Sequence, residues 1–175
     1  MNEKNNVVLI GMPGAGKSTV GVVVAKRLGY RFLDSDLLIQ EKTGKLLHEL
    51  ITEHGVEGFW RIEEEVNAAI DVTNTVIATG GSVCHEEKAM AHLDSIGTVV
   101  YLKLSYEALE ERLGDLNARG VTLREGQTLK DLYDERVPLY EKYARVTVDC
   151  DGRELREVAQ EVSRLTKIAT KDCPA

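Results

Sequence analysis

Apolar residues fall along the chain in two alternating rhythms. Short, mostly β-branched runs recur at 7–10, 31–34, 75–78, 98–102 and 145–149, and each predicts a strand. Between them the spacing lengthens to the helical period, which predicts helices over about 17–28, 35–42, 46–54, 56–70, 85–95, 105–113 and 128–143. A last helix is expected over about 153–167. Gly29 and Gly44 stand where helices should end, and Ser105 and Thr128 where helices should begin. Strands alternating with helices predict a parallel sheet covered on both faces, hence a three-layer α/β domain. The stretch 114–127 breaks the pattern with three glycines, mixed charges and little periodicity, and reads as a mobile loop. Residues 169–175 complete no element and are expected to be a frayed tail.

Length and composition narrow the class. The 175 residues fit a single domain over about 1–168, and 43% hydrophobic with 29% charged residues is ordinary for a globular chain. A net charge of −7 argues against a nucleic-acid or membrane surface, since either would need a basic patch, so an anionic ligand must be held by a few local cations. The apolar run near the start is too short for a signal or a membrane span, which leads to a cytoplasmic expectation. Cys84, Cys150 and Cys173 have no CxxC spacing and are read as buried or incidental thiols. His48, His54, His85 and His92 lack metal-type clustering and are expected at the surface.

The strongest chemical signal is Gly11-Met12-Pro13-Gly14-Ala15-Gly16-Lys17-Ser18-Thr19, a complete GxxxxGK[ST] pattern between a predicted strand and a predicted helix. Its glycines let backbone N–H groups converge on phosphate oxygens, and the helix N-terminus adds partial positive charge. Lys17 is expected on the β- and γ-phosphates and Ser18 on Mg²⁺. Gly14, Ala15, Gly16 and Thr19 complete the nucleotide-binding loop. Such a loop does not by itself separate a kinase from a GTPase, a motor or a silent nucleotide-binding module.

The next strand ends in Phe32-Leu33-Asp34-Ser35-Asp36, and a two-residue period points both carboxylates the same way at the edge where α/β sheets bind ligands. One carboxylate can orient Mg²⁺ and its waters while the other accepts a proton from a substrate hydroxyl. A plain helix N-cap is the alternative.

Taken in order, GMPGAGKST, FLDSD, Gly58-Phe59-Trp60-Arg61-Ile62-Glu63, Ala78-Thr79-Gly80-Gly81, Arg119 and Arg136-Val137-Pro138-Leu139-Tyr140-Glu141 resemble the signature of shikimate kinases, over roughly residues 6–165. The resemblance implies ATP-dependent phosphorylation of the shikimate 3-hydroxyl on a five-stranded parallel sheet of order 2-3-1-4-5. It also implies roles. Asp36 would contact the accepting hydroxyl, Asp34 the magnesium shell through water, and Arg61 with Arg136 the substrate carboxylate. Gly80, Gly81 and Ser82 would line the substrate. Lys17, Asp36 and Arg119 would be catalytic, with Arg119 reaching the phosphates from the 114–127 loop, while Arg112 and Arg153 would flank the nucleotide. A monomer is the family-like default.

Guanidinium groups suit a carboxylate because they match it in bidentate geometry and stay charged. Taken alone, however, Arg61 and Arg136 also read as helix-surface charges paired with Glu64, Glu65 or Glu135. Phe59, Ile62, Val66 and Ile70 recur at helical spacing and read as core; Trp60 fits either a pocket wall or ordinary packing. Two positions depart from the family pattern. Ser82 stands where a third glycine is usual, and Gly120 where a proline follows the loop arginine. They keep open a related kinase of another polyol acid such as gluconate, and beyond it a non-catalytic nucleotide-binding module.

Overall fold

The computed structural model describes residues 5–113 and 123–171. Its strands are β1 (Asn6–Ile10), β2 (Arg31–Asp34), β3 (Thr75–Ala78), β4 (Gly97–Lys103) and β5 (Val146–Asp149). All pair in parallel, in the order β2-β3-β1-β4-β5. The order is the one the family resemblance implies. β1 is the middle strand, with Val8 opposite Ile77 on one side and Val99 on the other. Every residue of β1 and β3 is buried, as continuous apolar runs require when helices cover both faces.

The helices are α1 (Lys17–Leu28), α2 (Ser35–Thr43), α3 (Leu47–Ala68), α4 (Glu87–Ile96), α5 (Tyr106–Leu113), α6 (Leu129–Tyr143) and α7 (Leu155–Lys171). Gly29 and Gly44 end α1 and α2 in the left-handed conformation, at φ 71° and 68°. Thr128 caps α6 reciprocally with Asp131. Two helix ends depart from the sequence expectation, the start of the one expected at His85 and the end of the last one. The two helices expected over 46–54 and 56–70 are both present as the halves of α3, separated at Gly55, whose φ of 71° and ψ of 176° are not helical. The helix expected from His85 is a 3-10 turn, Gly81–His85, followed by α4. β2 ends at Asp34 and α2 begins at Ser35 as expected, because the side chain of Asp34 captures the N–H groups of Asp36 and Leu37; Asp36 is thus in the first turn of the helix, and the two carboxylates do not share a strand period. α7 runs through Lys171 instead of ending near 167, which shortens the expected tail.

One large core surrounds β1, β3 and β4, and a smaller cluster of Ile39, Leu50, Phe59 and Val66 joins α2 to α3. The smaller cluster fixes α3 beside the C-terminal edge of the sheet. No helix among the described residues is long and apolar enough to cross a membrane.

Candidate active site

β1 is flanked by β3 and β4, from which the chain leaves in different directions, so a crevice opens at its C-terminal end. The phosphate-type loop fills it. Gly11 has φ 148°, and a Cβ there would lie 2.8 Å from the carbonyl oxygen of Leu102, so only glycine lets the loop leave β1 against β4. Gly16, at φ 92°, stands at the N-cap of α1 with no capping side chain, and the first turn of α1 contains no acid. The helix therefore offers bare N–H groups and its positive end to an anion. Lys17 is buried, and its Nζ donates to the carbonyls of Gly11 at 2.7 Å and Met12 at 2.9 Å. Burial lowers its pKa to about 8, with Asp36 pulling the other way and Arg136 adding to the fall.

Asp34 is the helix N-cap that the sequence allowed, and it also faces the phosphate loop. Its Oδ1 accepts from the backbone of Asp36 and Leu37, and its Oδ2 accepts from Ser18 Oγ at 2.6 Å. The cap thus aims a carboxylate at the hydroxyl of the phosphate loop. Two hard oxygens together suit a divalent cation that keeps most of its other ligands as water and phosphate. Asp36, half-buried beyond them, has its pKa raised to about 6, first by burial and then by the charges of Glu63 and Asp34, with Lys17 opposing.

A cavity of about 600 Å³ runs from Lys17 and Ser18 past Asp36 to Arg136. Its floor is Thr79-Gly80-Gly81-Ser82, and Phe59 and Ile51 form an apolar wall. Thr79 anchors the floor to β1 by donating its N–H and hydroxyl to Leu9 O at 3.2 and 2.8 Å. Tyr140 OH donates to Gly81 O at 2.5 Å. A Cβ on Gly80 would lie 2.5 Å from Glu63 Oε1 and 2.9 Å from Asp36 Oδ1, whereas one on Gly81 would meet Pro13 and lie 3.1 Å from Arg136 Nη1. The floor is thus acidic at one residue and cationic at the next.

Ser82 needs no glycine backbone, since it sits in the 3-10 turn with negative φ, and its hydroxyl donates to Glu63 Oε2 at 2.5 Å. Glu63 is fully buried. Its neighbour Glu86 is held protonated by burial and by Glu63, with Asn67 opposing. Neither acid was singled out from sequence. The available signal was Glu63 one turn after Phe59 and just before Val66, a charge on an otherwise inward-facing stripe.

Lys17, Ser18, Asp36, Gly80, Gly81, Ser82 and Arg136 all line the cavity. Arg61 does not. It is exposed, because Phe59 and Glu63 set the inward face of α3 and a residue two positions from Phe59 points about 200° away. Arg136 is therefore the only arginine on the cavity among the described residues. His85 corrects a second expectation, since its side chain is only 11% exposed: it stacks on Trp60 and accepts from Arg136 Nε. Cys84 and Cys150 are free and buried. Behind the loop, Arg112 and Arg153 line a second cavity of about 210 Å³ together with Ala15, Gly16 and Val20. Arg119, Gly120 and Cys173 lie outside the described residues, as does most of the 114–127 loop.

Comparison with known proteins agrees in sequence and shape. The family model for shikimate kinase matches residues 13–167. The shikimate kinase of Thermodesulfovibrio yellowstonii is 38% identical over 160 residues, which is 90% of this chain and 92% of that protein. The structure of the Acinetobacter baumannii shikimate kinase in complex with shikimate superposes with a TM-score of 0.83 at 32% identity, covering 97% of this chain and 96% of that one. A gluconokinase from Sinorhizobium meliloti, 18% identical with a TM-score of 0.60 over 99% of this chain and 100% of that one, shares the fold.

Proposed function

This chain belongs to the shikimate kinase family, and on that premise we propose that it transfers the γ-phosphoryl group of ATP to the 3-hydroxyl of shikimate. The observation that carries the proposal is the single cavity joining Lys17 and Ser18 to Asp36 and Arg136. A donor's phosphates on the loop and an acid's carboxylate on Arg136 would leave a hydroxyl between them beside Asp36. The acceptor oxygen then forms a bond to the γ-phosphorus as the β–γ bridging oxygen leaves with ADP, and Asp36 receives the hydroxyl proton. Lys17 gives up its two carbonyl partners for the phosphates and steadies the transferring charge. Arg112 and Arg153, which line the cavity behind the loop, would flank the nucleotide, and the role of Arg119 would be to stabilise charge on the phosphates. Ser18 and Asp34 are the fitting ligands for Mg²⁺, which would neutralise phosphate charge when bound.

The acidic and cationic halves of the floor favour one other acceptor class. A hydroxylated amino acid would put its carboxylate on Arg136 and its ammonium toward Asp36 and Glu63. The gluconokinase likeness reaches the fold alone and adds nothing for a polyol acid. A coupled ADP-release assay over shikimate, gluconate and homoserine decides among them. Shikimate-dependent release with the highest kcat/KM is expected; release independent of any acceptor, or strongest with another acid, overturns the reading.

A further inference from the structure

We infer that His85, backed by Trp60, is a positioning residue that turns Arg136 so that its terminal nitrogens face the acceptor's carboxylate. The inference rests on the reading of Arg136 given above. Arg136 is 3% exposed, and its Nε donates to His85 Nε2 at 3.3 Å. A guanidinium has one donor edge that includes Nε and one formed by its two terminal nitrogens. With Nε directed to the imidazole, the terminal nitrogens are turned the other way, and Nη1 lies against Gly81 on the cavity floor, where a carboxylate can meet it.

For His85 to accept, Nε2 must be unprotonated, and its surroundings enforce that. Burial comes first, then the charge of Arg136, with Arg124 adding and Glu135 opposing, and together they bring the imidazole down to about 4. The ring is also held flat. It stacks on the Trp60 indole with centroids 4.3 Å and planes 14° apart, and the Arg124 guanidinium carbon is 4.9 Å from the indole centroid. Glu135, the neighbour of Arg136 on α6, accepts from Gln127 Nε2 at 2.9 Å and lies 3.6 Å from both Arg124 Nη1 and His85 Nε2. An imidazole clamped on one face and flanked by a carboxylate has little freedom to release Arg136. None of these groups other than Arg136 lines the cavity, so they act through it.

Steady-state kinetics of His85→Ala and His85→Gln test this, with melting temperatures recorded for both. His85→Ala should raise the shikimate KM about tenfold or more while kcat and the ATP KM stay within about twofold. His85→Gln, whose side-chain oxygen can accept from Nε, should recover most of the loss. Trp60 is the only tryptophan, so its emission follows the same platform without turnover. A shikimate titration of that emission should move its midpoint by the same factor in His85→Ala. If His85→Ala does not fold, Trp60→Leu, which removes the stack and keeps the imidazole, should raise the same KM several-fold. An unchanged acceptor KM in a folded variant, equal losses for both substrates, or no recovery with His85→Gln overturns the inference. Wild-type protein without shikimate turnover would instead remove the shikimate reading, and the same comparison then runs with the acceptor that the panel identifies.

Discussion

Replacing Asp36 by asparagine should stabilise the protein while removing its activity. In the folded chain this carboxyl is raised from its ordinary 3.8 to about 6, mainly by burial and then by Glu63 and Asp34. Each pKa unit corresponds to ~1.36 kcal/mol, so ionised Asp36 costs the native state up to about 3 kcal/mol at neutral pH. The sign follows from proton counting. Between about 4 and 6 the native state binds more protons than the unfolded one, so stability falls as pH rises through that window, and the full cost is present above it. Asparagine keeps the shape and carries no charge, so urea unfolding at pH 7.5 should show a gain of about 2–3 kcal/mol with unchanged m-value, shrinking toward zero near pH 4. Turnover should fall by about 100-fold or more, as for loss of a proton acceptor. A variant less stable than wild type at pH 7.5, or one whose gain persists undiminished at pH 4, would refute the idea that Asp36 is held ionised at a cost.

Arg136→Ala should raise the acceptor KM about 10- to 150-fold, the loss of one charge-assisted contact, whereas Arg61→Ala should leave both substrate KM values within about twofold and stability within about 0.5 kcal/mol; steady-state kinetics and a melting curve check both. The pH profile of kcat/KM should have an acid limb near 6 from Asp36 and an alkaline limb near 8 from Lys17, the latter moving upward in kcat when phosphates pair with the ammonium. Gly80→Ala puts a methyl 2.5 Å from the buried Glu63 Oε1, so unfolding titrations should show a loss of about 1–3 kcal/mol, together with a raised acceptor KM.

The nucleotide side was legible in the sequence because it depends on backbone. A glycine pattern, a helix start and a strand end are local, and Gly11 through Ser18 keep their meaning wherever the chain goes. Sheet order came from the family resemblance, since no local pattern states which strands pair. The acceptor side depends on which way side chains face, and there the ordered motif misled. Arg61 matched the pattern by type and neighbourhood, but helical phase was decisive: Phe59 and Glu63 occupy the inward stripe and Arg61 the outward one. Glu63 and Glu86 were not singled out, because the groups around them, Ser82 donating to Glu63 and the pairing of the two acids, are spread over α3, the 3-10 turn and the start of α4. His85 was read as a surface residue for the same reason, since its partners Trp60 and Arg136 are distant in sequence. Ser82, which stands where a third glycine is usual, supplies a hydroxyl to the buried Glu63.

All of these readings meet in one transfer. Phosphorus-31 NMR of the protein with Mg-ATP and shikimate tests it directly, because ATP loss, ADP gain and any new phosphate monoester are followed in one sample. The account predicts one phosphate monoester for every ADP, dependent on shikimate and lost in Lys17→Ala. Inorganic phosphate in place of the monoester, or ADP formation indifferent to shikimate, would contradict it.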